Sequence, residues 1–436
     1  MRRALLTGIL TFVLAAPAAA SPGGGSSGFG GGGGGGGGFS GGGGGSGSCG
    51  SGCVTISGPW AWVMVAGFFL VFGLIAALVG ITVHRQVKRR RERVARVELA
   101  AAAAAQDDAY FEPAELRGAA GALHAELFHA WNDGDRERLR ARLAPDLMVE
   151  WERRLDDFAA KGWRNECAVI GDTKVEYVGL TNRAEEAEDR AVVRISGKMR
   201  DVVVDADGRL MTRNNTDSQT VGFAEYWTLG RAGGRWILLS IEQDAEGRHN
   251  LDAPIVASPW SDEARLHDEA VTELAVADAA PNVAELADLD FDGDARAAAL
   301  DLSNADGRFA PQVLEAAARR AVAAWAEAVD GDDAALEAIA TPEAVQALLY
   351  GGDASRDTRL VVRGPRLSAL RIARLDAAHE PPTMTVEAQV SGRRYVEDRD
   401  TAAVLRGSKD RETTFTERWT MALDGDPETP WRIAAA

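Results

Sequence analysis

The stretch FAEYWT at 223–228 returns as FTERWT at 415–420, with phenylalanine, glutamate, tryptophan and threonine in the same order. In an extended strand, Phe223, Glu225, Trp227 and Leu229 share one face, as do Phe415, Glu417, Trp419 and Met421 in the second stretch. The opposite face of the second is Thr414, Thr416, Arg418 and Thr420, so the aromatic side is the core side and both glutamates point inward. A carboxylate left charged and unpartnered in low dielectric costs several kcal/mol, so each should be paired or protonated. The expected partners are Lys198 or Arg200 for Glu225, and Arg393 or Arg394 for Glu417. A ligand-orienting acid in a pocket and a catalytic base are the other two readings.

The likeness of the two regions extends beyond the strand. Trp325 matches Trp131, Asp330-Gly331-Asp332 matches Asp133-Gly134-Asp135, Pro342 matches Pro145, and Ser391-Gly392-Arg393 matches Ser196-Gly197-Lys198. The offsets drift only slightly, from 194 residues at Trp325 to 195 at Ser391 and 192 at Phe415, which indicates two homologous domains.

Each region also reads as helices first and strands afterwards, an α+β order. In the first, Leu116, Leu123, Leu127 and Trp131 fall at helical spacing, the helix stops at NDGD, and Leu139 and Leu143 continue on a short second helix. Pro145 opens a third, with Leu147, Trp151, Leu155 and Phe158 on its apolar face. From Cys167 the period becomes strand-like through KVEYVGL, RAVVRISGKMRDVVV, TVGFAEYWTLG and RWILLSIEQ.

The N-terminal part has a different character. Residues 1–20 read as a signal peptide, with Arg2 and Arg3 before an apolar run and Ala18-Ala19-Ala20 before the cleavage point. Residues 21–58 are glycine-rich and too poor in apolar side chains to offset the entropy of ordering, so an exported disordered segment is expected. Residues 59–83 follow as a transmembrane helix, uncharged from Trp60 to Val83 and spanning roughly 36 Å at 1.5 Å per residue. A basic block with Lys88, Arg89, Arg90, Arg91 and Arg93 comes next, and cations on one side place that end in the cytoplasm. These five side chains are also candidates for anionic lipid headgroups, an alternative being a topology signal alone. The expected organisation continues with a juxtamembrane segment and helical stalk over 84–114, domain one over 115–248, an acidic linker with a helix over 249–307, and domain two over 308–436.

Residues 97–436 carry 39 Lys and Arg against 64 Asp and Glu, a net charge near −25 that argues against nucleic acid as a partner. Cys49 and Cys53 in CGSGC would meet oxidising conditions, where they could form a disulfide with each other, cross-link two chains, or remain idle thiols.

The run ELFHAWNDGDRERLRARLAPDLMVEWERRLDDFAAKGWRN, with VEYVGLTNR, DRAVVRISGKMRD, FAEYWTL and RWILLSIE, resembles the Tim44-like family, the carboxy-terminal domain of the mitochondrial inner-membrane import tether. The resemblance covers 115–246 well and 310–434 weakly, where KGWRN and VGLTNR are missing. Bacterial members of this family also join a glycine-rich stretch and one membrane helix to the domain. The resemblance implies two tandem nuclear-transport-factor-two-like (cystatin-like) cones, the second diverged, each with helices on a bent antiparallel sheet around an apolar pocket. It further implies membrane-associated tethering or lipid contact, whereas the import function is not carried over, because the import presequence and chaperone-binding segment have no counterpart here.

Other motifs are thinner. Asp288, Asp290, Asp292 and Gly293 match the first positions of a calcium loop, but Ala299 stands where a bidentate glutamate is needed, so no metal is expected. His124 and His129 are five apart rather than the four that aims two imidazoles at one metal. No cofactor and no catalytic residue is expected. The favoured function is a non-enzymatic scaffold in the bacterial inner membrane, binding an unidentified protein partner or the membrane surface through its cytoplasmic domains. Trp163, Arg164 and Asn165 are its candidate partner surface, read as an exposed loop. The alternative is a small-molecule or lipid binding module whose pocket holds Glu225, Glu417, Trp227 and Trp131, distinguished by whether the interior is open or plugged by Trp131, Trp151 and Trp227.

Overall fold

The computed structural model describes residues 22–23, 59–211, 219–276, 290–292, 294–427 and 429–436. The signal peptide, Cys49 and Cys53, and Asp288 and Gly293 of the acidic motif lie outside these residues.

The first helix, α1 (Pro59–Ala104), runs without a break for 46 residues, about 69 Å at 1.5 Å per residue. Its first half is long and apolar enough to cross a membrane, and Leu70, Val71, Phe72, Leu74 and Leu78 are each more than half exposed. Its second half is different. Val97, Ala101 and Ala104, spaced to lie on one helix face, are buried in the core of the unit that follows. That unit therefore begins before Glu115, with the stalk as one of its core helices.

Three further helices follow. α2 (Pro113–Asp133) starts with proline in its first turn and stops at Gly134, whose φ of 64° ends the helix in the left-handed region. α3 (Arg136–Arg140) is capped by Asp135, and α4 (Pro145–Ala160) again opens on proline. The strands β1 (Arg164–Thr181), β2 (Arg190–Val204), β3 (Leu210–Met211), β4 (Thr220–Arg231) and β5 (Trp236–Gln243) form an antiparallel sheet in the order β1-β2-β4-β5, with β3 paired to β2. Register shifts between Ile170 and Lys174, Tyr177 and Gly179, and Thr228 and Leu229 interrupt the ladders, and such irregularities bend a sheet.

The region after β5 carries α5 (Glu263–Val276), β6 (Asp290–Phe291) and α6 (Ala295–Ser303). A second set of elements then repeats the order of the first: α7 (Pro311–Asp330), α8 (Ala334–Ile339), α9 (Pro342–Tyr350), β7 (Thr358–Asp376), β8 (Thr383–Asp398), β9 (Val404–Gly407), β10 (Thr413–Ala422) and β11 (Arg432–Ala435). This sheet has the order β11-β10-β8-β7-β6 with β9 on β8, antiparallel except where β6 joins β7. Asp290 of the calcium-like motif is thus in a strand, and Asp292 pairs with Arg371 at 3.4 Å. The protein is mixed α and β, with two antiparallel sheets.

The loop expected at KGWRN is replaced by the start of β1 at Arg164, and Asn165 is 5% exposed. Asn165 Oδ1 accepts from Trp131 Nε1 at 2.9 Å, and Asn165 Nδ2 donates to Asp201 at 2.8 Å. Beside it, Asn132 brackets Cys167, donating to its carbonyl at 2.7 Å and accepting from its backbone N–H at 2.9 Å. Three of these bonds tie the end of α2 to the first residues of β1, and the one to Asp201 ties β1 to β2. The second unit has Ala326 where the first has Asn132 and lacks the KGWRN stretch, and there Trp325 and Trp419 bury their indole nitrogens without an acceptor.

Asn165→Ala should lower the stability of the detergent-solubilised full chain by about 1–3 kcal/mol, because Trp131 and Asp201 each lose a buried partner. Urea unfolding followed by tryptophan fluorescence reads this directly, and a loss below about 0.5 kcal/mol would contradict it.

Candidate functional site: the filled first unit, its stalk and the seam

The alternation read in FAEYWT is realised in β4, where Phe223, Glu225, Trp227 and Leu229 are all buried. Glu225 is fully buried, but its partners are not the expected cations. Its carboxylate accepts from Trp227 Nε1 at 3.0 Å and from Gln243 Nε2 at 3.3 Å. Lys198 and Arg200 are exposed because they alternate with the buried Ile195 and Met199 side of β2. Glu417 does meet Arg394, at 3.3 Å, and burial raises its carboxyl above the ordinary value against the pull of that guanidinium.

The interior of the first unit is filled. Trp131 meets Trp151 edge-on at 5.2 Å, and these two and Trp227 are each no more than 2% exposed. His124 packs into this interior, 4.3 Å from the Phe128 ring and 5.0 Å from Trp227 between centroids. Burial pushes the His124 imidazole down to about 4, and its Nε2 has no hydrogen-bond partner. Glu225 and His124 are therefore sealed from any ligand approaching from solvent. An open cleft of about 430 Å³ does exist, but on the outside, where Tyr110 and Leu123 face Arg235 and Trp236.

The stalk takes up part of the basic block. Arg93 is 3% exposed and donates from Nε to the Val178 carbonyl at 2.7 Å. Arg90 pairs at 3.1 Å with Glu176, which also meets Lys174 at 2.6 Å and Arg194 at 3.2 Å. Burial alone would raise the Glu176 carboxyl, but Lys174, Arg90 and Arg194 hold it below its ordinary value. Arg89 pairs with Asp252. The five candidates for lipid headgroups thus divide: Arg90 and Arg93 face the protein, whereas Lys88, Arg89 and Arg91 remain exposed. Trp163 is half-buried and Arg164 exposed, pairing with Glu166 at 2.5 Å, so the cluster proposed as a partner surface is also divided, with Asn165 inside.

The two units meet along a polar seam. Arg153 reaches Asp357 and Asp400, both at 2.5 Å, and Arg154 reaches Glu397 at 2.9 Å. Tyr395 donates to Glu246 at 3.0 Å, and Arg190 pairs with Glu327 at 2.7 Å and Asp332 at 2.8 Å. Deeper in, one donor atom each from Glu242, His249 and Asp330 lie within 4.8 Å of one another. Arg363 already provides a cation there, bonding Asp330 at 2.8 Å. At one end of the seam Pro22 and Gly23 are buried against Trp151, with Arg154 donating to the Gly23 carbonyl.

The sequence could not announce the seam, since its residues are ordinary surface types that become partners only when the units dock. The stalk contacts were no more visible, since residues 99–105 are apolar throughout and nothing singles out Ala101 and Ala104.

A His124→Leu variant should be less sensitive to acid than the native protein. The imidazole is depressed from 6.5 to about 4, so the unfolded state binds the extra proton, and the resulting stability is lost as pH falls from 6.5 through 4. Urea unfolding of the full chain at pH 7 and pH 4.5 should show native stability falling by about 2–3 kcal/mol more than that of the variant. Equal losses would contradict this.

No curated protein sequence matches the chain. Among solved structures, 28 chains match, one being the intermembrane space region of the chloroplast protein ARC6. It is 15% identical, covering 26% of this chain and 78% of that one, and its TM-score of 0.21 is too low to bear on fold or function. Among known protein families, the Tim44-like domain matches residues 97–243, a span that starts at Val97, the first buried apolar residue of the stalk, and ends with β5. This chain therefore contains a Tim44-like domain, with the stalk as part of it.

Proposed function

We propose that the chain is a single-pass, membrane-fixed scaffold, non-enzymatic, whose Tim44-like domain presents a surface to a protein partner at a set height above the bilayer. The observation that carries this reading is the unbroken α1, which leaves the lipid-facing half and enters the domain core without a hinge. Tethering is the role of this family, and a Tim44-like domain is found here. The filled interior supports binding through the outside of the domain and speaks against the pocket alternative, because Trp131, Trp151 and Trp227 occupy the space a ligand would need.

Within this reading the membrane is a bacterial inner membrane, the glycine-rich tract is outside and the units are cytoplasmic. The exposed Lys88, Arg89 and Arg91 are placed to meet anionic headgroups. The second unit is a diverged copy of the first, supported by the repeated element order and the matched Trp131 and Trp325. Trp163 and Arg164 are the partner contacts that remain from the sequence-based set. Such a topology separates Pro22 and Gly23 from Trp151 in one chain, so the crossing and that contact are exclusive alternatives.

Capture of partners by the full chain from detergent-solubilised membranes tests the scaffold, alongside a reporter fused after Ala436 that is active only in the cytoplasm. We expect an active reporter and a partner whose recovery falls several-fold in Trp163→Ala with Arg164→Ala. Unchanged recovery would remove this surface, turnover of a small substrate by the native chain would reject the scaffold, and an inactive reporter would reverse the orientation.

A further inference from the structure

The seam between the units contains two places where carboxylates approach each other across the interface. Asp330 closes α7 of the second unit and lies with Glu242 of β5 and His249, their donor atoms within 4.8 Å. Asp146 lies in the first turn of α4 of the first unit and accepts from the backbone N–H of Asp333 at 3.2 Å, within electrostatic reach of the Asp333 carboxylate. Docking alone brings these groups together, since each pair has one member in each unit.

We propose that the seam is a proton-operated clasp, in which Asp330 and Asp146 take up protons as the units close and release them as the units part, so that docking tightens in acid and loosens towards alkaline pH.

The charges around Asp330 come from several elements. Glu242 and His249 face it from the first unit, with Nε2 of His249 at 2.7 Å from Glu242. Asn250 holds the other Glu242 oxygen at 2.8 Å. Arg363 of β7 binds Asp330 at 2.8 Å and also donates to the Ile241 carbonyl at 3.2 Å. Further out, Glu246 accepts from Tyr395 at 3.0 Å and, through its backbone carbonyl, from Arg393 at 3.3 Å. Two carboxylates face the Arg363 guanidinium at the centre, and the one proton held among Glu242, His249 and Asp330 makes the group neutral. A divalent metal would overshoot that balance beside Arg363, which is why the cluster is assigned to protons.

Around Asp146 the groups are Asp333, Glu337 and Arg359 of the second unit. Arg359 is already committed, bonding Asp333 at 2.5 Å and approaching Glu150 at 3.8 Å. Asp333 also accepts from Tyr350 at 3.0 Å. Asp146 is thus left without a guanidinium of its own.

The titration directions agree with this geometry. Burial, then Glu242, pushes Asp330 up to about 6; burial, then Asp333, pushes Asp146 up to about 6. Both carboxyls lie near 3.8 when free, so the docked state binds more protons between 3.8 and 6. The stabilisation is fully present below 3.8 and is lost as pH rises through about 6. His249 is raised against the effect of burial, chiefly by Glu242 of its own unit and then by Asp330 across the seam, and this last part adds to the same direction at higher pH. Glu242 is held below 4.5, so its opposing contribution appears only in stronger acid.

Spin labels on the exposed positions Ala119 of the first unit and Glu343 of the second, in the detergent-solubilised full chain with Cys49→Ser and Cys53→Ser, read the distance between units by pulsed electron resonance. One narrow distance is expected at pH 5.5, with a second, longer population growing about tenfold or more by pH 8. Asp330→Asn with Asp146→Asn, which imitate the protonated acids, should keep the narrow distance throughout. Identical distributions at both pH values in the native chain would overturn the clasp, as would an unchanged pH response in the double variant. Closure at pH 8 produced by adding zinc, and abolished by His249→Ala, would also overturn it and assign the cluster to a metal.

Discussion

The placement of the first unit depends on one contact, the burial of the far end of α1 in its core. Val97, Ala101 and Ala104 have no accessible surface to speak of, and Arg93 reaches the Val178 carbonyl from the same helix. An isolated stalk of this kind would be a spacer. Packed as it is, the helix transmits position: the sheet is fixed relative to the long, exposed apolar half of α1. Alanine at 101 and 104 permits the close approach, and the cation cluster at Glu176 fastens the lower end of the stalk to β1 and β2. The Tim44-like match beginning at residue 97 fits this physical boundary better than one drawn at Pro113.

The same economy explains why the interior of the first unit offers no pocket. Indole rings supply large apolar area but bring one N–H each, which needs an acceptor when buried. In the first unit Asn165 and Glu225 provide those acceptors, so two inward polar side chains that invite a functional reading serve the packing of Trp131 and Trp227. In the second unit Trp325 and Trp419 pack together without such acceptors. The second unit is accordingly the plainer structure, and its relation to the first is carried by polar contacts along the seam rather than by a shared apolar core.

Much of this was legible in the residues. The limits of β2 were read as RAVVRISGKMRDVVV and coincide with Arg190–Val204, because alternation is unambiguous where one face is buried. The helix opening at Pro145 and the stop at Gly134 follow from local chemistry alone. The start of β1 was not legible, since Trp163, Arg164 and Asn165 look like a polar turn until Trp131 is known to need an acceptor. The partner of Glu225 was missed for a related reason: nearby cations in sequence drew attention, but strand alternation sends Lys198 and Arg200 outward. The basic block reads from composition as a uniform charge, whereas helical geometry turns Arg90 and Arg93 inward and leaves Lys88 and Arg91 outside.

Amide hydrogen exchange along residues 84–104 in the full chain, kept in native membranes, addresses the fixed stalk most directly. If α1 is one rigid element seated in the first unit, these amides exchange slowly and together with those of β1, with no fast-exchanging stretch between the bilayer and Val97. Rapid exchange over 84–96, with protection resuming only at α2, would make the stalk a flexible leash and contradict a domain held at fixed height.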